Sequence, residues 1–254
     1  MRISKSPLTL VFALLISVGE IQGIPESKSN LLPSDCGSSV TADGGGLTVI
    51  LGEYNQSRNP DCYYKNDSSR KELDPTCLET EEFGVESVMV HPDFDRRRYQ
   101  NDIGLIRLDR DVTMKDHIRA ICLPLTSALH GENAESYVVT TWKMDVGAPL
   151  TSSNTLLEVT VSRINSTDCE QKLATISNRM KLSERQICTD GSDQICRGSA
   201  GAPLGNSVSH NNGERFVQYG IVSIGSARCE LSDVPEVYTR VASYMEWILS
   251  TIVP

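Results

Sequence analysis

The sequence predicts an all-β fold of barrel or sandwich type that ends in a C-terminal helix. From Leu47 onward, short apolar runs alternate with turn signals, a spacing typical of all-β domains. Apolar and polar residues alternate over 157–161, as in a half-buried strand. The predicted strands are 47–51, 87–90, 103–108, 137–142, 156–164, 216–225 and 236–241.

Two helices are predicted. The polar run 166–168 offers an N-cap to a short helix that continues through Leu173. The last segment places four apolar residues on one face at helical spacing. Those residues are Val241, Tyr244, Ile248 and Ile252.

Length and composition limit the class of protein. The 254 residues suit one large all-β domain or two small ones, and a hydrophobic content of 39% is enough for a core. The formal net charge of −9 argues against nucleic-acid binding, which requires a basic face.

Residues 1–23 are typical of a secretory signal peptide. Arg2 and Lys5 provide a basic start, and the apolar run 8–18 is too short for a comfortable membrane span. Cleavage after Gly19 and cleavage after Gly23 both fit. A short membrane anchor is the alternative, and the lack of a further apolar span disfavours it. We therefore expect a secreted, extracellular protein.

Two further segments complete the predicted organisation. Residues 24–46 are rich in Ser, Gly, Pro and Asp and end in a Gly-rich run, a composition typical of a linker. The folded domain is predicted over 47–254.

Eight cysteines in a secreted chain indicate a disulfide framework, for which about 105 pairings are open from sequence alone. Three Asn-x-Ser/Thr triplets, at Asn55, Asn66 and Asn165, are candidate glycosylation sites.

The stretch 196–204, CRGSAGAPL, resembles the nucleophile loop of the chymotrypsin-like serine proteases, Cys-x-Gly-Asp-Ser-Gly-Gly-Pro-Leu. Ser199 stands in place of the Asp, Ala200 in place of the nucleophilic Ser, and Ala202 in place of a Gly. Covalent acyl transfer needs a hydroxyl or a thiol, and Ala200 has neither. Ser199 is the alternative nucleophile, but a one-residue step in a tight loop turns the side chain to another face. We interpret Ser199 as a small buried polar residue.

Further stretches match the same family in order, so that the resemblance covers roughly 47–254. They are 51–54 (LGEY), 90–94 (VHPDF), 101–108 (NDIGLIRL), 121–125 (ICLPL), 220–223 (GIVS) and 237–241 (VYTRV). The loop insertion 62–77 and the tether 32–37 (LPSDCG) resemble the insect clip-domain proteases of haemolymph cascades. The resemblance implies a chymotrypsin-like double β-barrel.

The resemblance also implies a disulfide connectivity that uses all eight cysteines. The implied pairs are Cys36–Cys122, Cys62–Cys77, Cys169–Cys188 and Cys196–Cys229.

Asp102 matches the triad Asp of the family, whose role is to orient an imidazole. No histidine stands in the family's catalytic context; the four histidines are His91, His117, His130 and His210. The activation site and the run from it to the catalytic His are also absent. The first barrel is therefore expected to be incomplete.

The specificity pocket departs from the trypsin pattern. Gln194 stands where trypsin-like members carry an Asp, and Glu236 replaces a Gly on the pocket wall. Together with Ser223 and Gly225, these residues form the predicted pocket. A Glu at 236 is expected to narrow it, so trypsin-like specificity is not carried over.

Two other signals are weaker. Glu53 and Asn55, with Glu81 or Glu82, resemble the calcium loop of some family members, and a solvated acidic loop is the favoured interpretation. The run 96–98, three arginines, is interpreted as an exposed loop rather than a contact patch for an acidic partner. No cofactor and no metal are expected.

These features predict a secreted, catalytically inactive serine protease homologue that binds or regulates extracellular proteins, such as cascade proteases or their substrates. A working serine endopeptidase is one alternative, and it would require a Ser and a His at the family positions. A truncated isoform, or an artefact of the gene model, is the other.

Overall fold

The computed structural model describes residues 14–16, 38–43, 46–63, 75–126, 129, 134–142, 154–175, 181–192, 195, 199–210, 213–225 and 234–252. The strands of its first half are β1 (Leu14–Ile16), β2 (Ser38–Asp43), β3 (Gly46–Leu51), β4 (Asp61–Tyr63), β5 (Thr76–Leu78), β6 (Glu81–Val90) and β7 (Gly104–Leu108). Those of its second half are β8 (Ser136–Thr141), β9 (Leu157–Ser162), β10 (Gln186–Thr189), β11 (Pro203–His210), β12 (Gly213–Ile224) and β13 (Glu236–Arg240). The helices are α1 (Ser166–Ala174) and α2 (Met245–Thr251), and a 3₁₀ turn, Val241–Tyr244, precedes α2.

The second half is a closed antiparallel barrel. Its six strands run in the order β10-β13-β12-β11-β8-β9. The end of β9 returns to β10, where Arg163 pairs with Thr189. The N–H of Asp190 donates to the carbonyl of Ser162 at 2.9 Å beside this bridge. This barrel, which we call the closed barrel, therefore joins its two outer strands at their ends, where an open sheet would leave backbone groups unpaired.

The first half is an open five-stranded sheet in the order β1-β7-β6-β3-β2. Among the described residues β1 and β2 are its edges and do not pair with each other. A separate two-stranded ribbon, β4-β5, lies beside it in sequence. The predicted all-β fold, with an incomplete first barrel and a C-terminal helix, is confirmed.

The open sheet has two more strands than the sequence suggested. The prediction of a linker over 24–46 is wrong at β2, which pairs along its whole length with β3, from Ser38 opposite Leu51 to Asp43 opposite Gly46. The physical reason is that the Asp-Gly-rich connection favours a hairpin, and β3 would otherwise expose an edge. At the other edge, β1 lies within the predicted signal peptide and pairs with β7.

Four apolar clusters are found among the described residues, and three of them organise the two halves. One fills the closed barrel and contains Tyr137, Leu204 and Tyr238. A smaller one, which includes Val49 and Phe83, packs under the open sheet. The third joins the halves, because Ile103 and Leu105 next to and within β7 pack with Ile221, Val241, Tyr244 and Ile248. The apolar contact between the halves is thus made by β7, β12 and the C-terminal helical segment.

Both predicted helices are present, with small differences. Helix α1 begins one residue after its actual cap, Asn165, whose Oδ1 accepts the N–H of Asp168 at 2.8 Å. The C-terminal segment starts as a 3₁₀ turn before α2, and its apolar face is buried as predicted. The sequence missed β10 and β11; β11 begins at a proline and is rich in Ser, Gly and Asn, a composition that resembles a loop.

Candidate functional site

The turn that corresponds to the nucleophile loop lies between β10 and β11. The N–H of Ala202 donates to the carbonyl of Ser199 at 3.0 Å, which closes the turn. Two further bonds tie it to β12: the N–H of Gly201 donates to Val222 O, and the N–H of Val222 donates to Ala202 O, both at 2.9 Å. Gly201 has a φ of +89°, a conformation that favours glycine. Ala200 is buried at the apex and presents only a methyl group.

Ser199 faces the interior. Its exposed fraction is 2%, and its Oγ accepts a hydrogen bond from the Thr141 hydroxyl at 3.0 Å. Thr141, at the end of β8, is itself fully buried. The interpretation of Ser199 as a small buried polar residue is confirmed. Its hydroxyl forms part of the packing between β8 and the turn.

Asp102 is fully buried in the loop that leads into β7. The Ser223 hydroxyl donates to its Oδ2 at 2.6 Å, and the Thr239 hydroxyl donates to its backbone carbonyl at 2.8 Å. Both partners belong to the closed barrel, on β12 and β13. Asp102, which belongs to the first half of the molecule, is thus held in place by hydrogen bonds from the second half.

Ser223 was predicted to line the specificity pocket, but its hydroxyl is bound to Asp102. The two residues are 121 positions apart in the sequence, so no local sequence pattern could have predicted this contact. The only signal in the sequence is that both belong to stretches that match one family. Pairing of a buried carboxylate with a buried hydroxyl is what the low dielectric of the interior requires.

The loop before Asp102 adopts an unusual backbone. Tyr99 and Asn101 have φ values of 51° and 54°, in the left-handed region that non-glycine residues seldom occupy. Asn101 is held by its side chain, whose Nδ2 donates to Asp93 O at 2.8 Å and whose Oδ1 accepts the Tyr244 hydroxyl at 3.1 Å. The surrounding contacts therefore stabilise a conformation that is unfavourable by itself.

Two histidine side chains are described, and each has a structural contact. The ring of His91 lies 5.4 Å from that of Tyr244 and 5.0 Å from that of Trp247, and its Nδ1 accepts the N–H of Asp93 at 3.2 Å. Burial lowers the pKa of His91. Nε2 of His117 lies 3.0 Å from the carbonyl of Glu79.

The side chains of the other two histidines lie outside the described part of the structure. His130 lies outside the described residues, and of His210 only the backbone, at the end of β11, is described.

Glu236 is fully buried at the start of β13. The Tyr238 hydroxyl donates to Oε2 at 2.6 Å, and the N–H of Ser192 donates to Oε1 at 3.3 Å. Burial raises the pKa of Glu236 to about 8, although both hydrogen bonds act in the opposite direction. The pKa of Tyr238 is also raised, by burial and by the neighbouring Glu236. Hydrogen bonds therefore join Glu236 to Tyr238 and Ser192 at the start of β13.

The predicted pocket residues have separate hydrogen-bond partners among the described residues, and the pocket itself stays a prediction. The Ser223 hydroxyl points to Asp102, whereas the Glu236 carboxylate points to Tyr238 and Ser192. Gly225 follows β12, and a Cβ added there would meet no described atom within 4 Å. Gln194 lies outside the described residues.

The acidic segment around Glu53 has its own hydrogen bonds. Oδ2 of buried Asp61 accepts the N–H groups of Tyr54 and Asn55 at 3.1 and 3.0 Å. Burial, with Asp61 nearby, raises the pKa of Glu53, whose Oε1 has no hydrogen-bond partner among the described residues. Glu81 forms an ion pair with Lys115. The described residues contain no cluster of three or more metal-ligating side chains, and the absence of a metal stays a prediction.

Two of the implied disulfides are present, Cys62–Cys77 between β4 and β5 and Cys169–Cys188 between α1 and β10. Cys122 forms no disulfide with a described residue. The remaining cysteines, Cys36, Cys196 and Cys229, lie outside the described residues, so the other two pairs stay predictions.

Two of the three sequons are described. Oδ1 of Asn55 accepts the N–H and the hydroxyl of Ser57 at 3.1 and 2.6 Å. Asn165 is exposed and caps α1. Asn66 lies outside the described residues, and use of all three stays a prediction.

None of the helices that the structure describes is long and apolar enough to cross a membrane.

Comparisons with known proteins agree on one family. The family described as Trypsin matches residues 58–248. Serine protease 7 of Drosophila melanogaster is 35% identical over 86% of this chain and 53% of its own length. Melanization protease 1 of the same species is 31% identical over 87% of this chain and 55% of its own. The chain thus spans about half the length of the curated relatives it matches.

The fold comparison agrees with the sequence comparison. The crystal structure of the Drosophila Grass clip serine protease of the Toll pathway superposes with a TM-score of 0.68 at 27% identity. The match covers 99% of this chain and 72% of the other. On the match over 58–248, the chain belongs to the trypsin family of chymotrypsin-like serine proteases, with insect clip-domain proteases among its similar relatives.

Proposed function

We propose that the chain is a secreted, catalytically inactive serine protease homologue that regulates or binds proteins of an extracellular proteolytic cascade. Cascades of innate immunity, melanisation or clotting are the proposed settings. The observation that carries the proposal is Ala200, whose methyl group stands where the family has its nucleophilic hydroxyl. Without a hydroxyl or thiol there, no acyl-enzyme forms.

The neighbouring hydroxyl is a poor substitute. Ser199 Oγ is directed into the interior, where it accepts the Thr141 hydroxyl, and only 2% of the residue is exposed. A nucleophile must reach a substrate carbonyl at the surface and must contact a general base. The two described histidine side chains bind Asp93 and Glu79 backbone groups instead.

What remains supports a binding role. The buried hydrogen bond from Ser223 to Asp102 joins the two halves of the molecule, a contact that a binding protein can use as well as an enzyme. Relatives of this chain include proteins named Melanization protease 1 and Spaetzle-processing enzyme. We therefore propose cascade proteases or their substrates as partners, with neither nucleic acid nor membrane involved.

Activity measurements test the inactivity. Purified secreted protein is expected to cleave no Arg, Lys or aromatic ester substrate and to take no label from an active-site fluorophosphonate. Ala200→Ser alone is expected to restore no turnover, because triad members act as a unit and loss of one costs up to about 10⁶-fold. Labelling that disappears in a Ser199→Ala variant would show a displaced nucleophile and contradict the proposal.

The alternative of a truncated isoform or gene-model artefact needs a different test. Sequencing of full-length transcripts is expected to recover a message that encodes this chain. Only messages with an additional segment between 37 and 47 would indicate that the short chain is not made.

A further inference from the structure

The outer edge of β7, the side away from β6, carries an added strand in this structure. That strand is β1, which pairs antiparallel with β7. The aligned pairs are Leu14–Ile106, Leu15–Leu105 and Ile16–Gly104. No other described strand pairs with this side of β7. The edge therefore accepts a strand in a defined register.

The strand β1 is not expected to remain in the secreted protein. It lies within 1–23, the predicted signal peptide, whose removal is part of the proposed secretion. Among the described strands, β6 is then the single neighbour of β7. The other side of β7 presents a row of backbone N–H and C=O groups that a strand can bind.

Both faces of β7 are buried, and this sets the chemistry of the strand that fits beside it. Ile106 belongs to the cluster under the open sheet, with Phe83, whereas Leu105 belongs to the cluster between the halves, with Ile221. Directly opposed residues of an antiparallel pair share a face. Residues opposite 105 and 106 therefore enter apolar surroundings on both sides. The edge fits consecutive apolar residues, as in the Leu-Leu-Ile sequence of β1, rather than an alternating pattern.

A second copy of this chain fits the edge less well. Two β7 strands related by a two-fold axis would run antiparallel, with residues of the same face opposite each other. Arg107 shares the face of Leu105, because alternate residues of a strand do. It would therefore lie opposite Leu105 of the other copy or opposite the other Arg107. Either arrangement brings a cation to the apolar cluster between the halves, which is unfavourable.

We propose that the outer edge of β7 binds an extended segment of an extracellular partner protein as an added antiparallel strand. The segment carries at least three consecutive apolar residues. Backbone hydrogen bonds supply the affinity, and the apolar surroundings on both faces supply the selectivity. The inference rests on the proposed secretion and gives the proposed binding role a surface.

Binding of a peptide that copies residues 12–18, with two lysines added at each end for solubility, tests the proposal. The secreted protein is used, and its N-terminus is first established by sequencing. The peptide is expected to bind and to slow amide exchange over 104–108 by at least about ten-fold, with no change over Ser38–Asp43. Hydrogen exchange with mass spectrometry measures both segments in one sample.

Two matched peptides separate strand addition from hydrophobic attraction. N-methylation of the residues that copy 14–16 removes backbone donors and keeps the side chains. Leu15→Asp in the peptide places a charge opposite Leu105, which is fully buried. Each peptide is expected to bind at least about ten-fold more weakly than the first, equal to about 1.4 kcal/mol.

The chain that keeps residues 1–23 is the matched protein control. Its own β1 occupies the edge at a high effective concentration, so its affinity for the peptide should be at least about ten-fold lower. Thermal melting of both forms reports their folding. Ester hydrolysis measured on the same samples keeps the two proposals apart, because turnover would contradict the inactivity and leave the strand binding unaffected.

Four outcomes would overturn the inference. Two concern the peptides: no binding of the first peptide, or equal binding of its N-methylated form. The third is a secreted protein that retains residues 14–16, because its own chain then fills the edge. The fourth is a dimer whose amides over 104–108 are protected without peptide, which would assign the edge to a second copy.

Discussion

The closed barrel and the open sheet have the same antiparallel construction, but they differ in how their edges end. In the closed barrel, β9 returns to β10 through the pairing of Arg163 with Thr189. In the open sheet, β1 and β2 remain as edges among the described residues. Closure removes exposed backbone donors and acceptors, which an open sheet must leave to solvent or to a partner. The difference teaches that one half of this fold can close into a barrel while the other half remains an open sheet.

The candidate site depends on both halves, though unequally. Asp102 comes from the loop that leads into β7, but its hydrogen bonds come from Ser223 and Thr239 of the closed barrel. The apolar cluster between the halves also draws most of its buried residues from β12 and the C-terminal segment. We therefore expect the closed barrel to preserve the position of Asp102.

The largest expected difference is in local opening. Amides of β11 and β12 should exchange only on global unfolding, whereas amides of β2 and β3 should exchange at opening free energies several kcal/mol lower. Limited proteolysis should cut first within 38–110. Hydrogen exchange with mass spectrometry measures both halves in one sample. Uniform protection would mean that a partner or a second copy covers the open sheet.

Matched core truncations should show the same contrast. Leu204→Ala in the closed barrel is expected to lower the free energy of unfolding by about 2–5 kcal/mol, because Leu204 is fully buried among packed side chains. Leu108→Ala in the open sheet should fall at the low end of that range, because a sheet without closure relaxes around the cavity. Urea unfolding of both variants measures this. A larger loss for Leu108→Ala would contradict the comparison.

The two disulfides provide a third contrast at nearly constant loop length. Cys62–Cys77 closes 15 residues and Cys169–Cys188 closes 19, so their effects on the unfolded chain should be nearly equal. The first pair is exposed, and the second is buried in the cluster with Leu173 and Val237. Replacing Cys169 and Cys188 by Ala should therefore cost about 1–2 kcal/mol more in unfolding free energy than replacing the other pair. Equal losses would indicate that burial adds nothing there.

The smallest expected effect, counted as the change in unfolding free energy per pH unit, comes from the protonation of Glu236 in the closed barrel. Its pKa in the folded state is about 8, above the ordinary 4.5, because it is buried. The folded protein therefore holds an extra proton between these values, and stability should fall as pH rises through 4.5–8, by at most about 1.4 kcal/mol per unit. Glu236→Gln should flatten that part of the profile. Melting temperatures across pH measure it, with Glu158→Gln, an exposed residue on β9, as control.

If the melting temperature of Glu236→Gln falls with pH as steeply as that of the unmodified protein, the pH dependence comes from other groups and the prediction is wrong.

Most of the fold and half of the site follow from the sequence. Local patterns suffice where the periodicity of a strand or the family motif is strong, as at 157–161 and 101–108. The resemblance to the family also identified the replacement at Ala200 and implied the two disulfides found among the described residues. Composition misled at Ser38–Asp43 and β11, because polar strands at an edge or in a hairpin resemble loops.

Only the tertiary structure decided how distant groups meet. The sequence identified Ser223 as a pocket residue, and packing placed its hydroxyl on Asp102. From the sequence, the three arginines at 96–98 were interpreted as an exposed loop. In the structure, the hydrogen bonds from Gln100 to Lys181 and from Gln186 to Tyr99 place that loop beside the segment that contains Arg185. Such contacts join residues about 80 to 120 positions apart, where no periodicity operates and only burial, hydrogen bonding and charge select the partner.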